Sequence, residues 1–428
     1  MITRRRIGIG IAVVGIGLFG GIVAQKSFLA TTPRLAPRRP IIKQGPHARH
    51  PFLQWVDMTS QQHGWALNRS DRLLVTWNGG HTWYRTPAVD VTNGPSNTWN
   101  ATHIQGFYSL NQHDAWVSST EGIPSSATKR SLLTTYTLYR TTTGGRTWTK
   151  LHAPGVGWVD FLTPQRGWFL TFEGVAMGNY PSDLYVTTNG GRRWLRVTAT
   201  FSESPSGISY APHIAPNPSN ARYITTDLKK GLVFQSAARG WIASVNTNYF
   251  GSQRSPVISR TSNGGRSWRW TMFPHEPLPN PTVSNPPQFF PATGRHGLIP
   301  LQNSPLAVSG NLAPIQQVVW YQTLDGGNRW TRTGQIVRST PFSGDVSFVS
   351  VSDGWVLWSD RSQHLWHTVN GGHTWTTWVI RAPDHPGVRF AGIDFLTVHC
   401  GWAVSVRGQL WSTIDGGKIW TPVVPRNS

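Results

Sequence analysis

The octapeptide TIDGGKIW occupies residues 413–420, and the similar TVNGGHTW occupies residues 368–375, one unit of 45 residues upstream. Both fit the frame T-x-x-G-G-x-x-W, here called the octad, in which the Thr, both Gly and the Trp are kept. The octad occurs seven times, and the other five copies begin at Thr76, Thr141, Thr187, Thr261 and Thr323. Regular repetition at this spacing predicts one array of similar units rather than several unrelated domains.

The octads carry the residues of tight hairpin turns. Six of the seven place Asn or Asp before the Gly pair, and Asn-Gly and Asp-Gly favour hairpins because the turn needs positive φ. The Trp three residues after the second Gly begins the next strand and supplies a large apolar side chain. We therefore predict seven structural turns rather than seven active sites. The turn residues are Asn78, Gly79, Gly80, Trp83, Gly144, Gly145, Trp148, Asn189, Gly190, Gly191, Trp194, Asn263, Gly264, Gly265, Trp268, Asp325, Gly326, Gly327, Trp330, Asn370, Gly371, Gly372, Trp375, Asp415, Gly416, Gly417 and Trp420.

A second signal, the dipeptide GW or AW, opens another strand before six of the octads, and Leu298 takes the place of the Trp in the fifth unit. These tryptophans are Trp65, Trp116, Trp168, Trp241, Trp355 and Trp402. Each unit then reads as four antiparallel strands with the octad between the third and the fourth. Seven such units predict an all-β fold, a seven-bladed β-propeller, because a single blade cannot bury both of its faces. The alternative, a linear β-solenoid, has shorter repeats and fewer hairpins.

The frame T-x-[ND]-G-G-x-x-W resembles the Asp-box, or bacterial neuraminidase repeat. Together with the GW strand it resembles the photosystem II stability/assembly factor family, over about residues 52–424. This resemblance implies a non-catalytic seven-bladed propeller outside the cytoplasm that holds a newly made membrane subunit during assembly. We therefore expect a binding scaffold or assembly factor with a protein partner, such as a nascent membrane protein. Related exported proteins occur where no photosystem exists, so the resemblance does not establish a role in photosynthesis.

The N-terminus predicts export. The basic stretch MITRRR precedes Ile7–Ala24, an uncharged run of 18 residues that is just long enough to cross a bilayer. We expect residues 1–25 to be a signal peptide or an N-terminal transmembrane anchor, residues 26–50 a Pro-rich basic linker, and residues 51–428 the propeller. The bulky Ile22 fits a cleavage site poorly, which favours an anchor. The expected location is extracytoplasmic, anchored in the cell membrane, or secreted if the segment is cleaved.

The composition narrows the class of partner. The chain has 39 Lys+Arg against 18 Asp+Glu, and without residues 1–50 the balance is still 30 to 18. A basic exported domain suits an acidic protein segment or an anionic membrane surface, and its location disfavours nucleic acid. The single Cys400 excludes an intramolecular disulfide, and no metal or phosphate motif is present. We expect no cofactor, no metal, a monomer, and a stability that changes little at low pH because carboxylates are few.

The lengths of the connections predict where a binding site lies. In an up-and-down meander the octad hairpins share one face with the turns between the first and second strands. The longest connections, between the second and fifth units, all fall on the opposite face, the usual place for binding in repeat arrays. Neutral length variation is the alternative explanation. The candidate binding residues in these connections are Lys129, Arg130, Arg222, Lys229, Lys230, Tyr249 and Arg254.

The rival hypothesis is an exported glycoside hydrolase of the sialidase-like Asp-box type, and a third is a protein that binds cell-wall glycan through exposed aromatics. Glycosidic cleavage needs two carboxylates. The chain has only four glutamates, all in the long connections: Glu121, Glu173, Glu203 and Glu276. No arginine-rich FRIP-like segment precedes the first unit, and no Tyr–Glu pair is identifiable, so a binding protein is the favoured hypothesis.

Overall fold

The computed structural model describes residues 41–43, 45–48, 51–70, 72–86, 104–120, 136–155, 157–171, 182–198, 224, 228–246, 255–272, 281–283, 286–290, 294–303, 316–338, 345–358 and 363–425. Its regular elements are strands, which form seven antiparallel sheets. The sheets contact one another in sequence, and the seventh contacts the first. The predicted seven-bladed β-propeller is therefore confirmed.

Blades 1 to 3 follow the first strand, β1 (Ile41–Lys43). Blade 1 contains β2 (Leu53–Met58), β3 (Gly64–Asn68), β4 (Leu73–Thr76) and β5 (Tyr84–Arg85). Blade 2 contains β6 (Ile104–Ser109), β7 (Ala115–Thr120), β8 (Tyr136–Thr141) and β9 (Thr147–His152). Blade 3 contains β10 (Gly157–Phe161), β11 (Gly167–Thr171), β12 (Leu184–Thr187) and β13 (Leu195–Thr198). In each blade the strands run in chain order from an inner strand near the axis to an outer strand at the rim.

Blades 4 to 7 repeat this order. Blade 4 contains β14 (Leu228–Phe234), β15 (Gly240–Asn246), β16 (Ser255–Thr261) and β17 (Arg269–Met272). Blade 5 contains β18 (Pro281–Val283), β19 (Gln288–Phe289), β20 (Gly297–Asn303), β21 (Gln316–Thr323) and β22 (Thr331–Arg338). Blade 6 contains β23 (Asp345–Phe348), β24 (Gly354–Trp358), β25 (His364–Thr368) and β26 (Thr376–Val379). Blade 7 contains β27 (Phe390–Phe395), β28 (Gly401–Ser405), β29 (Leu410–Thr413) and β30 (Thr421–Pro422).

The octads form the predicted hairpins. All fourteen octad glycines have φ between +63° and +96°, and the threonine Oγ of every octad accepts the N–H of the second Gly at 2.8–3.0 Å. The first Gly of every octad donates its N–H to a carbonyl in the turn between the first two strands of its blade, at 2.7–2.9 Å. The octads and these turns therefore share one face of the ring, as predicted, and this face is called the hairpin face below.

The GW tryptophans join neighbouring blades. Trp168 of blade 3 is fully buried and stacks on Phe234 of blade 4, with ring centroids 3.7 Å apart and planes 1° apart. Trp116 stacks in the same way on Phe161. The indole N–H of Trp168 also donates to the carbonyl of Gly264 in the octad of blade 4, at 3.2 Å. Trp116 and Trp168 therefore stabilise the joint with the following blade and not only their own sheet.

Hydrogen bonds near the ends of the inner strands link successive blades around the axis. In blade 3, Asp160 Oδ2 accepts the N–H of Phe234 at 2.6 Å. In blade 7, Asp394 Oδ2 accepts the N–H of Met58 in blade 1 at 2.8 Å. All four strands of blade 7 are consecutive in the chain. In the described part of the chain, the ring thus closes through side-chain contacts and single hydrogen bonds, such as that from the N–H of Leu53 to the carbonyl of Gly408 at 2.9 Å, and not through a strand shared by the first and last blades.

The last residues of the predicted linker belong to the propeller. Ile41–Lys43 pairs with the outer strand of blade 2, from Thr147 to Thr149, and makes it a five-stranded sheet. Residues 45–48 then run along the outer strand of blade 1, where Gly45 donates to the carbonyl of Arg85 at 2.8 Å. Residues 41–48 differ in this respect from the solvated spacer predicted up to residue 50. Alternation of polar and apolar residues is too weak over eight residues to reveal such pairing.

Blade 5 departs from the repeat at its inner strand. Two short segments, β18 and β19, pair with opposite ends of β20 instead of one continuous strand. Pro286 and Pro287 lie between them, and proline cannot donate to a strand ladder. Residues 274–288 are predicted from the sequence to form one of the long connections between units. Pro281–Val283 within this stretch instead belongs to the sheet of blade 5.

The membrane anchor predicted within residues 1–25 lies outside the described residues. Within the described ranges, no helix is long and apolar enough to cross a membrane.

Candidate functional site

The binding residues predicted from sequence are mostly outside the described part of the chain. Lys129, Arg130, Arg222, Tyr249 and Arg254 fall there, as do Glu121, Glu173, Glu203 and Glu276. The two others lie in the inner strand of blade 4 rather than in a connection. Lys229 is 1% exposed and pairs with Ser244, and Lys230 follows it at an irregularity of the ladder. The described residues therefore do not bring the predicted set together.

A different group of basic residues lies on the hairpin face of blades 4 and 5. Arg239 immediately precedes the GW dipeptide of blade 4, and Arg260 and Arg269 are paired residues of β16 and β17 next to the octad. The side chain of Arg260 crosses to blade 5, where it donates to the Oδ1 of Asn328 in the next octad. Arg239, Arg260 and Arg269 are called the arginine cluster below.

Mutual repulsion is present in the arginine cluster. Burial lowers the pKa of Arg260, and the positive charges of Arg239 and Arg269 lower it further, while only Asp325 acts to raise it. Arg260 thus has two neighbouring guanidinium groups and one neighbouring carboxylate. A bound anion would relieve this repulsion, and a perturbed pKa with a specific charged cause is typical of functional sites.

Further exposed arginines extend the basic surface on the same face. They follow the Gly pairs of the octads or lie in the turn before a GW strand, and they are Arg192, Arg193, Arg266, Arg295 and Arg329. In blade 2, burial lowers the pKa of Arg140, Asp114 raises it and Arg192 lowers it, so the charges of neighbouring blades interact there too. Arginine forks bind carboxylates and phosphates in bidentate geometry. The hairpin face from blade 3 to blade 5 is therefore suited to an anionic partner.

Most described carboxylates are occupied by contacts that maintain the fold. Asp57, Asp160 and Asp394 accept hydrogen bonds from the neighbouring blade. Asp183 forms a salt bridge with Arg196, whose Nε lies 2.9 Å from its Oδ2. The other carboxylates with a hydrogen-bond or ion-pair partner are Asp114, Asp325, Asp345, Asp353 and Asp415. The contacts of these residues are therefore accounted for by the fold.

A metal or cofactor site is not built by the described residues either. Within the ranges given above, no group of three or more His, Cys, Asp or Glu side chains is arranged to hold a metal ion. Cys400 is a free thiol, half-buried, with Gln61 Nε2 3.5 Å from its Sγ.

The fold and the octads define the chain as a seven-bladed β-propeller of the Asp-box type. No protein-family model matches the chain. No curated protein matches it in sequence. Among solved structures it is similar to YCF48, a photosystem II assembly factor. YCF48 from Cyanidioschyzon merolae is 16% identical over 87% of this chain and 98% of that chain, with a TM-score of 0.50. This similarity confirms, at the level of the fold, the resemblance that the octads and GW strands predicted.

Enzymes share the same architecture. The chain is similar to the GH74 enzyme of Niastella koreensis, with 14% identity over 90% of this chain and 55% of that chain and a TM-score of 0.52. It is also similar to a polysaccharide lyase of family PL25, an ulvan lyase, with 8% identity over 89% of this chain and 97% of that chain and a TM-score of 0.51. Identities this low show a common fold, which does not decide between a binding protein and an enzyme.

The arginine cluster was not predicted from the sequence, because the octads were interpreted only as structural turns. The invariant octad positions do maintain the turn, but the position after the Gly pair varies, and it is Arg in three copies: Arg146, Arg192 and Arg266. Sorting the variable positions by face would have found the basic surface. The contact of Arg260 with Asn328 in blade 5, by contrast, cannot be predicted without knowing how the two blades are placed side by side.

Proposed function

We propose that the protein is a non-catalytic binding scaffold or assembly factor for membrane or envelope proteins, exported and anchored in the membrane by its N-terminal segment. The observation that carries this proposal is the arginine cluster. On the hairpin face, the positive charges of Arg239 and Arg269 act on the half-buried Arg260, and Asp325 is the acid that opposes them. Such an arrangement costs stability in the free protein and is compensated when an anionic partner binds.

The proposed partner is an acidic segment of another protein. Basic residues spread over three neighbouring blades match an extended chain better than a single small anion. Guanidinium groups also suit carboxylates geometrically, since two parallel N–H groups meet two oxygens. The resemblance to the photosystem II assembly factor family supports the same kind of partner, a newly made membrane protein.

The hydrolase remains the alternative function, and its candidate residues are the four glutamates in the long connections. The shared fold with the GH74 enzyme and the PL25 lyase supports keeping this alternative under test. It predicts that turnover of some glycan is abolished by a Glu→Gln change at one of those positions. Unchanged turnover in all four variants, or no turnover by the original chain, would remove the hydrolase.

Photocrosslinking in the native membrane tests the proposed function. A photoreactive phenylalanine derivative replaces Arg266, which is exposed beside the arginine cluster. A matched probe replaces Arg196 in the outer strand of blade 3, whose guanidinium is already neutralised by Asp183, with Nε 2.9 Å from Oδ2. We expect the Arg266 probe to capture one defined membrane or envelope protein through an acidic segment, and the Arg196 probe to capture none.

The Arg239→Gln change in the same cells provides the second comparison. It should lower the yield of the Arg266 crosslink at least severalfold, because the cluster loses one of three charges, each worth up to about 1 kcal/mol at an exposed site. Equal yields from both probes, or a yield that Arg239→Gln leaves unchanged, would refute the assignment of the binding surface. Capture of lipid instead of protein would show that the anionic partner is the membrane surface.

A further inference from the structure

Three aliphatic side chains are exposed at equivalent positions of consecutive blades on the hairpin face. They are Leu324, Val369 and Ile414, the second residues of the octads of blades 5, 6 and 7, with 60%, 63% and 83% of their surfaces exposed. These three residues are called the apolar arc below. Val398 and Ile419 add exposed aliphatic surface in the octad of blade 7 and in the turn bonded to it. Large apolar residues that recur on one exposed face are a mark of an interaction surface.

The turn itself does not require an apolar residue at this position. Blades 2, 3 and 4 have Thr142, Thr188 and Ser262 there, all exposed. Blade 1 has Trp77, which is half-buried against the octad of blade 2, where its indole N–H donates to the carbonyl of Gly144 at 2.9 Å. Elsewhere the repeat thus uses a polar residue here or packs an apolar one on the next blade, whereas the apolar arc stays largely exposed.

The charges of the hairpin face change between blades 4 and 5. In blades 3 and 4, the octads and the turns between the first two strands contain five Arg and no acid, whereas the same segments of blades 5–7 contain three Arg or Lys and three Asp. The first set is Arg166, Arg192, Arg193, Arg239 and Arg266, and the second is Arg295, Arg329, Lys418, Asp325, Asp353 and Asp415. The basic part of the face therefore ends where the apolar arc begins.

The octad of blade 5 connects the arginine cluster with the apolar arc. Its Asn328 accepts a hydrogen bond from Arg260, and its Asp325 opposes the charge repulsion that acts on Arg260. Leu324 directly precedes Asp325 in this turn. A segment bound at the arginine cluster therefore meets the first side chain of the apolar arc in the octad that Arg260 contacts.

We propose that the apolar arc binds aliphatic side chains of the same partner segment whose acidic residues bind the arginine cluster. The partner segment then has an acidic stretch next to an aliphatic one. This inference rests on the proposed function and names the chemistry of its partner. Such a boundary suits a membrane protein that is not yet inserted, because its apolar residues need cover from water.

Two other occupants of the apolar arc make different demands. An anionic bilayer binds surfaces where cations surround the apolar side chains, whereas the Arg and Lys residues of the turns in blades 5–7 are balanced by acids. A second copy of the chain would bring two basic surfaces together, which repel each other. The balance of charge on this part of the face therefore favours the aliphatic stretch of a partner protein.

Fluorescence anisotropy with the full-length protein tests this proposal. The first labelled peptide is acidic and alternates Glu and Ser. Two extended peptides continue it with a stretch that alternates Val and Ser, at the N-terminal or the C-terminal end, and their control peptides have Thr in place of Val. We expect one of the extended peptides to bind about tenfold more tightly than the acidic peptide, because it buries aliphatic side chains, and the Thr controls to lack this gain.

The repeat itself supplies a variant that keeps the turns. Leu324→Thr, Val369→Thr and Ile414→Thr in one chain introduce the residue that blades 2 and 3 already have at this position. We expect this triple variant to lose the gain from the Val extension and to bind the acidic peptide like the original chain.

A matched control changes one exposed valine in each of the same three blades. Val337 and Val379 lie at the far ends of the outer strands from the octads, and Val406 lies in the turn between the second and third strands of blade 7. A chain with Val337→Thr, Val379→Thr and Val406→Thr should bind every peptide like the original. Circular dichroism verifies that both triple variants are folded.

The outcomes separate this inference from the proposed function. If Arg239→Gln weakens binding of the acidic peptide but neither extension adds affinity, the proposed function stands and the apolar arc is refuted as a binding surface. A gain that is equal in the two triple variants would overturn the inference as well. If the acidic peptide does not bind the original chain, the proposed function fails, and a gain that only the arc variant loses would still support the arc as an apolar binding surface.

Photocrosslinking in the native membrane identifies the occupant. A photoreactive phenylalanine derivative replaces Val369, and a control probe replaces Val337. We expect the Val369 probe to capture the same membrane or envelope protein as the Arg266 probe, and the Val337 probe to capture none. Capture of lipid would show that the arc binds the bilayer, and capture of a second copy of this chain would show a dimer. Either result would overturn the inference.

Discussion

The carboxylate of Asp394 accepts a hydrogen bond from the backbone N–H of Met58 at 2.8 Å, although the two residues lie 336 positions apart in the chain. Both are buried, with 1% and 0% of their surfaces exposed. This bond joins blade 7 to blade 1, and the bond from Phe234 to Asp160 joins blades 3 and 4 in the same way. The contact between blade 7 and blade 1 is therefore of the same kind as the contact between blades 3 and 4, although it joins the two ends of the repeat.

Replacing Asp394 by alanine should destabilise the ring. The change leaves the N–H of Met58 buried without its partner, which costs about 1–3 kcal/mol. Guanidinium unfolding followed by tryptophan fluorescence measures the loss. Asp384→Asn is the control and should change stability by less than about 0.5 kcal/mol, because Asp384 is exposed and Asn tolerates its φ of +62°. Equal midpoints for the two variants would mean that the bond contributes nothing to closure.

Stacking between blades should appear as a coupling energy. In a double-mutant cycle with Trp168→Leu and Phe234→Leu, each single change should cost about 2–4 kcal/mol of unfolding free energy because a buried ring is lost. The coupling should be about 1 kcal/mol, as is typical of aromatic pairs. Additive single changes would indicate that Trp168 acts only within its own blade.

His63 should make the protein less stable in acid. Burial lowers its pKa from 6.5 to about 4, against the opposing effects of the Gly144 carbonyl and of Asp57. Below pH 6.5 the unfolded chain binds a proton that the folded chain does not, so stability falls as the pH drops towards 4. The maximum loss is about 3 kcal/mol.

His63→Gln should flatten this part of the pH profile of the melting temperature between pH 7 and 4. His399→Gln is the matched control, because His399 is exposed in the corresponding turn of blade 7. An unchanged slope in His63→Gln would show that His63 does not titrate as described. This histidine works against the acid resistance expected from the low number of carboxylates.

The two octads that contain Asp should lower the stability of the protein in acid, at a lower pH than the pH at which His63 has its effect. Burial acts to raise the pKa of Asp415, but hydrogen bonds from the N–H of Ile419, the hydroxyl of Thr413 and the N–H of Lys418 together bring the pKa below 3.8. The stabilisation is therefore present above pH 3.8 and is lost as the pH falls through the folded pKa.

Asp325→Asn combined with Asp415→Asn should reduce the fall in melting temperature between pH 4 and 2, since four other octads already use Asn at this position. At pH 7 the double variant should be somewhat less stable than the original, because it lacks the stabilisation that the two ionised carboxylates provide there. Asp384→Asn, outside the octads, serves as the control. A double variant that loses as much stability in acid as the original chain would contradict this account.

The sequence predicted the blades better than the site, for a physical reason. Most of each turn is contained in its octad, since the Thr, the residue before the Gly pair and the second Gly bond to one another within eight residues, and seven copies reinforce one another. Joints between blades involve partners that are distant in the chain, such as Asp394 and Met58, and no local pattern reveals them. Residues 41–48 carry too little alternation to predict that they extend two sheets. Predicting the arginine cluster requires knowing that the side chain of Arg260 reaches into blade 5, which no local pattern shows.

Within the described residues, no strand is shared between blade 7 and blade 1. This has a consequence for how the order of blades in the chain can be rearranged. Apart from β1, which extends the sheet of blade 2, each sheet is a contiguous stretch of sequence. Joining the residues after β30 to β1 and opening the chain between blades 5 and 6 would therefore preserve every pairing within the sheets. A whole blade can likewise be duplicated or exchanged as a single segment of the gene. The ring is thus modular along the chain as well as in space. Among the backbone contacts that tie one blade to another are the pairing of residues 41–43 with blade 2 and the hydrogen bond from the N–H of Leu53 to the carbonyl of Gly408.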